Sequence, residues 1–175
     1  MVEIKPLRGY TYNPEKVKDF SKVITPPNDV ISEKEKAHLS KNEYSFVKLD
    51  KPESYAKAKD LFERWQDDEV LKQDTKETIY IYSQSYLLEE RSYTRTGFIC
   101  LLHLEELGKG VLPHEKIIEQ DLKDRMELIR AVNADFGVPF LLYGDKKQET
   151  DYLIQTRIHG KRPFLEFRDQ NQVTH

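Results

Sequence analysis

The stretch Thr78-Ile79-Tyr80-Ile81-Tyr82-Ser83-Gln84-Ser85-Tyr86 decides the fold, because its side chains alternate between two faces. The isoleucines lie on one face and the tyrosines on the other, as expected of a β-strand. Residues 93–104 predict a returning strand, and residues 87–91 predict the connection. A hairpin is not stable alone, so other strands and a helical cover must join it.

Two amphipathic helices are predicted, one before the hairpin and one after it. Residues 52–67 carry apolar side chains at helical spacing, and Trp65 is predicted to be a core residue. Residues 115–133 carry a second apolar stripe, which consists of Ile118, Leu122, Met126, Ile129 and Val132. The sequence therefore predicts an α+β fold: a mixed, largely antiparallel sheet with a central hairpin, flanked by two long amphipathic helices.

Shorter elements are predicted between these. Ser32 and Glu35 form a capping-box pattern at the start of a short helix that ends near Asn42. Residues 45–49 and 138–143 are predicted strands, and residues 164–167 are strand-like. The lone Cys100 is interpreted as a buried apolar residue rather than a catalytic thiolate.

The composition describes a well-solvated globular chain. Its 175 residues carry a net charge of −3, with 38% hydrophobic and 34% charged residues. A chain of this length predicts a single domain, residues 1–175. No basic stripe or membrane-spanning apolar run is present, which argues against nucleic-acid and membrane partners. The chain shows no signal peptide, so a cytoplasmic location is expected.

The residues with the most chemical character follow the turn at residues 108–113. His114, Glu115 and Lys116 open the second long helix, and Arg125 lies further along it. Helix N-termini attract anions through their free N–H groups and their macrodipole. We therefore expect a site for a phosphate or carboxylate here. The glycines at 108 and 110 form a turn and not a Walker-type phosphate loop.

No residue pattern here fixes a reaction, but in an enzyme that acts on such an anion these side chains would supply acid–base and anion-binding groups. Glu115 and His114 are the candidate catalytic residues, Glu115 as base and His114 as an orienting group or proton donor. Lys116 and Arg125 would bind the anion. Arg125 has a simpler interpretation, a surface ion pair with Asp121. The carboxylates near the helix start are either magnesium ligands or a solvated helix end, and no metal site is assigned.

The loop around Pro26 and Pro27 is the second candidate segment. It is either a rigid turn or a support that presents Asn28 and Asp29 to a ligand. We expect it to lie close to the surface formed by His114 and Arg125.

Several segments together resemble the prokaryotic DUF family 1015. They are Tyr12-Asn13, Pro26–Ser32, Val111–Lys116, Asp124-Arg125 and Leu141-Leu142-Tyr143. Longer members carry an Asp-Gly-His-His-Arg motif that this chain lacks, so it is expected to be the N-terminal part of a longer protein. The Pro-His-Glu element is also similar to that of free-serine kinases of the ParB and sulfiredoxin type, which implies phosphoryl transfer at His114 and Glu115. Asn28 and Ile117 depart from the family pattern.

Two functions follow from these observations. The first is the N-terminal half of a cytosolic phosphotransferase that binds a nucleotide or a phosphorylated small metabolite, with a hydroxylated amino acid such as serine as substrate. Its cofactor would be ATP or ADP with magnesium. The alternative is a non-catalytic binding or assembly module, whose tyrosine face meets the C-terminal part of the same chain or a second copy in a homodimer.

Overall fold

The computed structural model describes residues 2–113, 118–169 and 171–175, and its fold is α+β as predicted. Its strands are β1 (Ile4–Lys5), β2 (Tyr10–Tyr12), β3 (Leu71–Gln73), β4 (Tyr80–Leu88), β5 (Arg91–Ile99) and β6 (Leu101–Leu102). Its α-helices are α1 (Glu33–Leu39), α2 (Val47–Asp50), α3 (Tyr55–Asp67), α4 (Glu119–Val132) and α5 (Glu149–Ile158). The strands form three antiparallel pairs, β1–β6, β2–β3 and β4–β5.

The chain divides into two compact units. Unit 1 comprises Met1–Ile79 and Cys100–Phe136, and unit 2 comprises Tyr80–Ile99 and Gly137–His175. Most of the buried apolar side chains that the structure describes belong to unit 1, whereas Ile154 is the one that belongs to unit 2. Unit 1 therefore carries the hydrophobic core.

Helix α3 provides the centre of that core. The side chain of Ser54 caps it by accepting a hydrogen bond from the backbone N–H of Lys57. Trp65 is 2% exposed, and its ring packs against those of Tyr12 and Tyr44, at centroid distances of 6.0 and 5.9 Å. The prediction that Trp65 is a core residue is therefore confirmed.

The segment around α1 and α2 contains one confirmed and one wrong prediction. Ser32 and Glu35 form the complete capping box at the start of α1. The strand predicted at residues 45–49 is wrong, because this segment turns into α2 and the N–H of Asp50 binds the carbonyl oxygen of Phe46. Both Val47 and Leu49 are fully buried there. Short apolar runs do not distinguish a strand from a buried helical turn.

Helix α4 begins later than predicted, and its inward face includes only part of the predicted apolar stripe. Its N-cap, Ile118, has an extended backbone, so the described part of the helix starts at Glu119. The side chains of Ile118, Leu122 and Met126 are exposed, whereas Leu128 and Val132 are buried. Asp124 lies one turn before Leu128 and extends the inward stripe toward the N-terminus. The sequence pattern missed the first part of this face because its residues are polar.

The β4–β5 hairpin of unit 2 has a tighter turn than predicted. The strands pair from Tyr80 with Ile99 to Leu88 with Arg91, so the connection is only Glu89-Glu90. Both residues have positive φ angles, 47° and 63°, which a two-residue hairpin of type I′ requires. The sequence contains no Asn-Gly signal here, and this is why a longer connection was predicted.

The remainder of unit 2 differs from the prediction. Residues 138–143 form no strand, and Phe140 and Leu142 are 67% and 87% exposed. The rings at 140 and 143 contact side chains of β5 instead of joining a backbone ladder. Helix α5 follows, with Asp145 accepting hydrogen bonds from the N–H groups of residues 149, 150 and 151. This helix was not predicted from the sequence.

Candidate ligand-binding site

The predicted site lies at the beginning of α4. His114, Glu115 and Lys116 lie outside the residues that the structure describes. Ile118, the first described residue after them, is the N-cap of α4, and no described side chain caps the helix there. The N–H groups of Asp121 and Leu122 bind the carbonyl oxygen of Ile118, each at 3.1 Å. The N–H groups of the first turn therefore have no side-chain acceptor in the described part of the chain.

Arg125 points inward from α4. Its Nη1 lies 2.7 Å from the carbonyl oxygen of Asp50 and 3.1 Å from Asp50 Oδ1. Its Nε donates a hydrogen bond of 3.0 Å to Asp124 Oδ2, and its Nη2 also pairs with that carboxylate. The guanidinium therefore joins α4 to the end of α2, and its described partners are Asp50 and Asp124 rather than Asp121.

Asp124 is shared between Arg125 and helix α3. Its Oδ1 accepts a hydrogen bond of 2.8 Å from the hydroxyl group of Tyr55. Burial acts to raise the pKa of Asp124, but the hydrogen bonds from Arg125 and Tyr55 outweigh it and lower that pKa below its usual value. Asp124 is therefore a stable carboxylate near neutral pH.

Asp50 has the opposite electrostatic environment. Burial raises its pKa above the usual value, the charge of Arg125 acts against this rise, and the charges of Asp124 and Asp29 add to it. Asp29 is thus close enough to Asp50 for their charges to interact. The structure therefore brings two predicted site residues, Asp29 and Arg125, near the same carboxylate.

The loop that carries Asn28 and Asp29 is attached to the end of α2. Residues 28–30 form a single 3-10 turn, in which Asn28 is half-buried and Asp29 is exposed. Lys51 follows α2, and its Nζ donates a hydrogen bond of 2.6 Å to the carbonyl oxygen of Ile31. The same Nζ lies 3.4 Å from a carboxylate oxygen of Glu33. These contacts fix the loop beside Asp50.

Two residues that organise this cluster were not predicted from the sequence. Asp50 was assigned no role, and Tyr55 was grouped with the apolar positions of the helix predicted at residues 52–67. Both carry information only once α2, α3 and α4 are packed together. Arg125 was a candidate for anion binding, and Asp124-Arg125 was one of the segments that resemble the family, but neither observation identified Asp50 or Tyr55 as a partner.

Two features are absent from the described residues. In the described ranges, no group of three or more His, Cys, Asp or Glu side chains is arranged to hold a metal ion. Within the same residues, no helix has both the length and the apolar character needed to cross a bilayer.

Comparison with known protein families gives a match. The family model described as "Protein of unknown function (DUF1015)" matches residues 4–175. No curated protein and no solved structure gives a significant match.

Proposed function

The chain belongs to the DUF1015 family, and we propose that it binds a phosphate-bearing small molecule at the start of α4. The ligand is a nucleotide or a phosphorylated metabolite, and binding serves phosphoryl transfer to a small hydroxylated metabolite such as serine. The observation that carries this proposal is the start of the 14-residue helix α4, where Ile118 supplies no side-chain cap. Backbone N–H groups in that position favour an anion.

The sequence before α4 fits the same ligand. Lys116 and His114 lie within five residues of Glu119, so a cation and an imidazole precede the helix in the sequence. Lys116 neutralises phosphate oxygens in this proposal, and Glu115 accepts the proton of a substrate hydroxyl group. Because Glu119 and Asp121 add negative charge in the first turn, we expect a nucleotide to bind together with magnesium.

Arg125 has an indirect role in this proposal. Its guanidinium already binds Asp50 and Asp124, so it orients α4 against α2. Asp29 lies near the same carboxylate, which supports a site bordered by the Pro26–Ser32 loop. Direct contact of Arg125, Asn28 or Asp29 with the ligand stays a prediction.

A binding experiment tests the proposal. Isothermal titration with ADP, ATP and inorganic phosphate, with and without magnesium, should give saturable binding to the full chain. Lys116→Gln should weaken binding by about tenfold, the value of one charge-assisted contact. The matched control is Lys109→Gln, since Lys109 is exposed and pairs with Glu106. Absence of binding by all three ligands, or equal losses in both variants, would contradict the proposal.

A second candidate function, assembly without catalysis, is favoured by exposed apolar side chains in unit 2. Leu87 and Leu88, beside the hairpin turn, are 75% and 57% exposed, and Leu142 is 87% exposed. Such side chains are typical of surfaces that contact another protein. Light scattering should then detect a homodimer that Leu87→Ser with Leu88→Ser converts to monomer. A monomeric native chain would remove the homodimer from consideration.

A further inference from the structure

A notch interrupts the face of the hairpin that carries the tyrosines. Gly97 pairs with Tyr82 in the β4–β5 register, and a Cβ added at Gly97 would meet no atom within 4 Å. Side chains alternate along a strand, so Arg95 and Ile99 flank Gly97 on the same face. The notch is thus an open space with a phenol across from it and a guanidinium at one end.

Arg95 is held in place beside this notch. Its Nε donates a hydrogen bond of 2.6 Å to Gln84 Oε1, and its Cζ lies 5.4 Å from the centre of the Phe140 ring. Its other two guanidinium nitrogens have no partner among the described residues. A guanidinium that is already oriented loses little freedom on binding, and two adjacent N–H donors match the geometry of a carboxylate or phosphate.

Tyr82 ends a hydrogen-bonded chain that runs through His175 to Asp169. His175 Nε2 lies 3.2 Å from Asp169 Oδ2, and His175 Nδ1 lies 2.6 Å from Tyr82 Oη. The imidazole is 10% exposed and stacks on Phe167, with ring centres 4.8 Å apart. Asp169 also accepts hydrogen bonds from the backbone N–H groups of Asn171 and Val173, which fix its carboxylate.

This chain determines which way the Tyr82 hydroxyl group points. The Asp169 carboxylate can only accept, so Nε2 of His175 carries the proton and Nδ1 is the acceptor. With a neutral imidazole, Tyr82 therefore donates its proton to His175 Nδ1, and the free lone pair of its oxygen can accept a hydrogen bond from outside. Tyr82 as a whole is 40% exposed, so its side chain borders the solvent.

We propose that this notch is a binding site for a small oxyanion that also carries a hydroxyl group, a hydroxy acid or a hydroxylated phosphate ester. Arg95 binds the anionic group, and Tyr82 accepts the hydrogen bond of the ligand hydroxyl group. The site lies in unit 2 and does not depend on the function proposed for α4.

The test compares ligands that differ by one hydroxyl group. The first pair, lactate and propionate, tests a carboxylate ligand. The second pair, glycerol phosphate and inorganic phosphate, tests a phosphate ligand. Binding of each ligand is followed through the backbone amide signal of Gly97 in NMR titrations. In at least one pair, the hydroxylated ligand should bind about tenfold more tightly than its partner ligand. The reason is that only the hydroxylated ligand can donate a hydrogen bond to the Tyr82 oxygen. Equal binding within both pairs, or no saturable shift at Gly97, would overturn the proposal.

Four variants assign the effect to the notch. Arg95→Gln and Gly97→Leu should each weaken binding by about tenfold or more, and Tyr82→Phe should remove the preference for the hydroxyl group. The matched control is Arg91→Gln, an exposed arginine of the same strand that pairs with Leu88 beside the turn. Equal losses in Arg91→Gln and Arg95→Gln would show non-specific charge attraction and contradict the site. Circular dichroism checks the fold of each variant, and Arg95→Gln keeps the test valid if Gly97→Leu does not fold.

Discussion

The guanidinium of Arg125 contacts both the backbone and the side chain of Asp50, with Nη1 2.7 Å from the carbonyl oxygen and 3.1 Å from Oδ1. Asp50 is the last residue of α2, and the final carbonyl groups of a helix lack partners within that helix. Arg125 thus satisfies a helix end and a largely buried carboxylate together. The contact explains why two charged residues, Asp124 and Arg125, lie on the inward side of α4.

Removal of the Arg125 guanidinium should destabilise unit 1. The side chain of Asp50 is 13% exposed, so Arg125→Gln would leave a nearly buried carboxylate without its counter-charge. We expect the free energy of unfolding to fall by about 2–4 kcal/mol, measured by urea denaturation. The matched control is Arg130→Gln, because Arg130 forms an exposed pair with Glu127 on the same helix. That pair contributes about 0–1 kcal/mol, and equal losses in the two variants would contradict the prediction.

Asp50 and Asp124 should affect acid stability with opposite signs. Burial raises the pKa of Asp50, so the native state binds that proton more tightly than the unfolded chain and gains stability as the pH falls toward about 4. The pKa of Asp124 is lowered, because hydrogen bonds from Arg125 and Tyr55 outweigh its burial. Its stabilisation is therefore present above about pH 4 and is lost as the pH falls further.

Urea denaturation from about pH 7 to pH 3 measures this difference. Relative to the native chain, Asp124→Asn should lose less stability on acidification, and Asp50→Asn should lose more. If the free energy of unfolding of both variants changes with pH as it does in the native chain, the prediction is wrong. These two carboxylates are then not the groups whose proton binding differs between the folded and unfolded states.

Local signals in the sequence predicted some elements well. Ser32 and Glu35 specify the start of α1 through their own side chains, and the alternation around Tyr82 specifies a strand without reference to the rest of the chain. Trp65 could be assigned to the core because few large aromatic residues at the centre of an apolar helical face lie elsewhere.

Other features depend on packing that no local pattern encodes. The run at 138–143 is apolar, yet a strand forms only where a partner backbone is available. These residues pair with no other strand among the described residues. The cluster around Arg125 depends on three helices meeting, and Asp50 ends α2, most of which was predicted to be a strand. The start of α4 was predicted too early in the sequence. Ile118 is apolar and fits the helical period, but its backbone is extended.

Truncation of Trp65 should be costly. Its indole is 2% exposed and contacts Tyr12 and Tyr44, so Trp65→Ala leaves a cavity within the core of unit 1. We expect a loss of about 3–5 kcal/mol in the free energy of unfolding, measured by urea denaturation. Tyr152→Ala is the control, because Tyr152 is 75% exposed and should cost less than about 1 kcal/mol. A loss below about 1 kcal/mol for Trp65→Ala would mean that this ring is not in the core.

Residues suited to positive φ angles should stabilise the hairpin turn. Glu89 and Glu90 have φ angles of 47° and 63°. This conformation costs most residue types free energy, whereas Asn and Gly adopt it readily. Replacing the pair by Asn-Gly should raise the midpoint of thermal unfolding and stabilise the hairpin by about 0.5–1 kcal/mol. The matched control is Glu77→Gly, since Glu77 is an exposed residue outside the set with positive φ angles, and glycine there gives only extra freedom to the unfolded chain. This control should be neutral or destabilising. Destabilisation by Asn-Gly would show that the connection does not adopt the tight two-residue turn, and that the pairing of Leu88 with Arg91 is shifted.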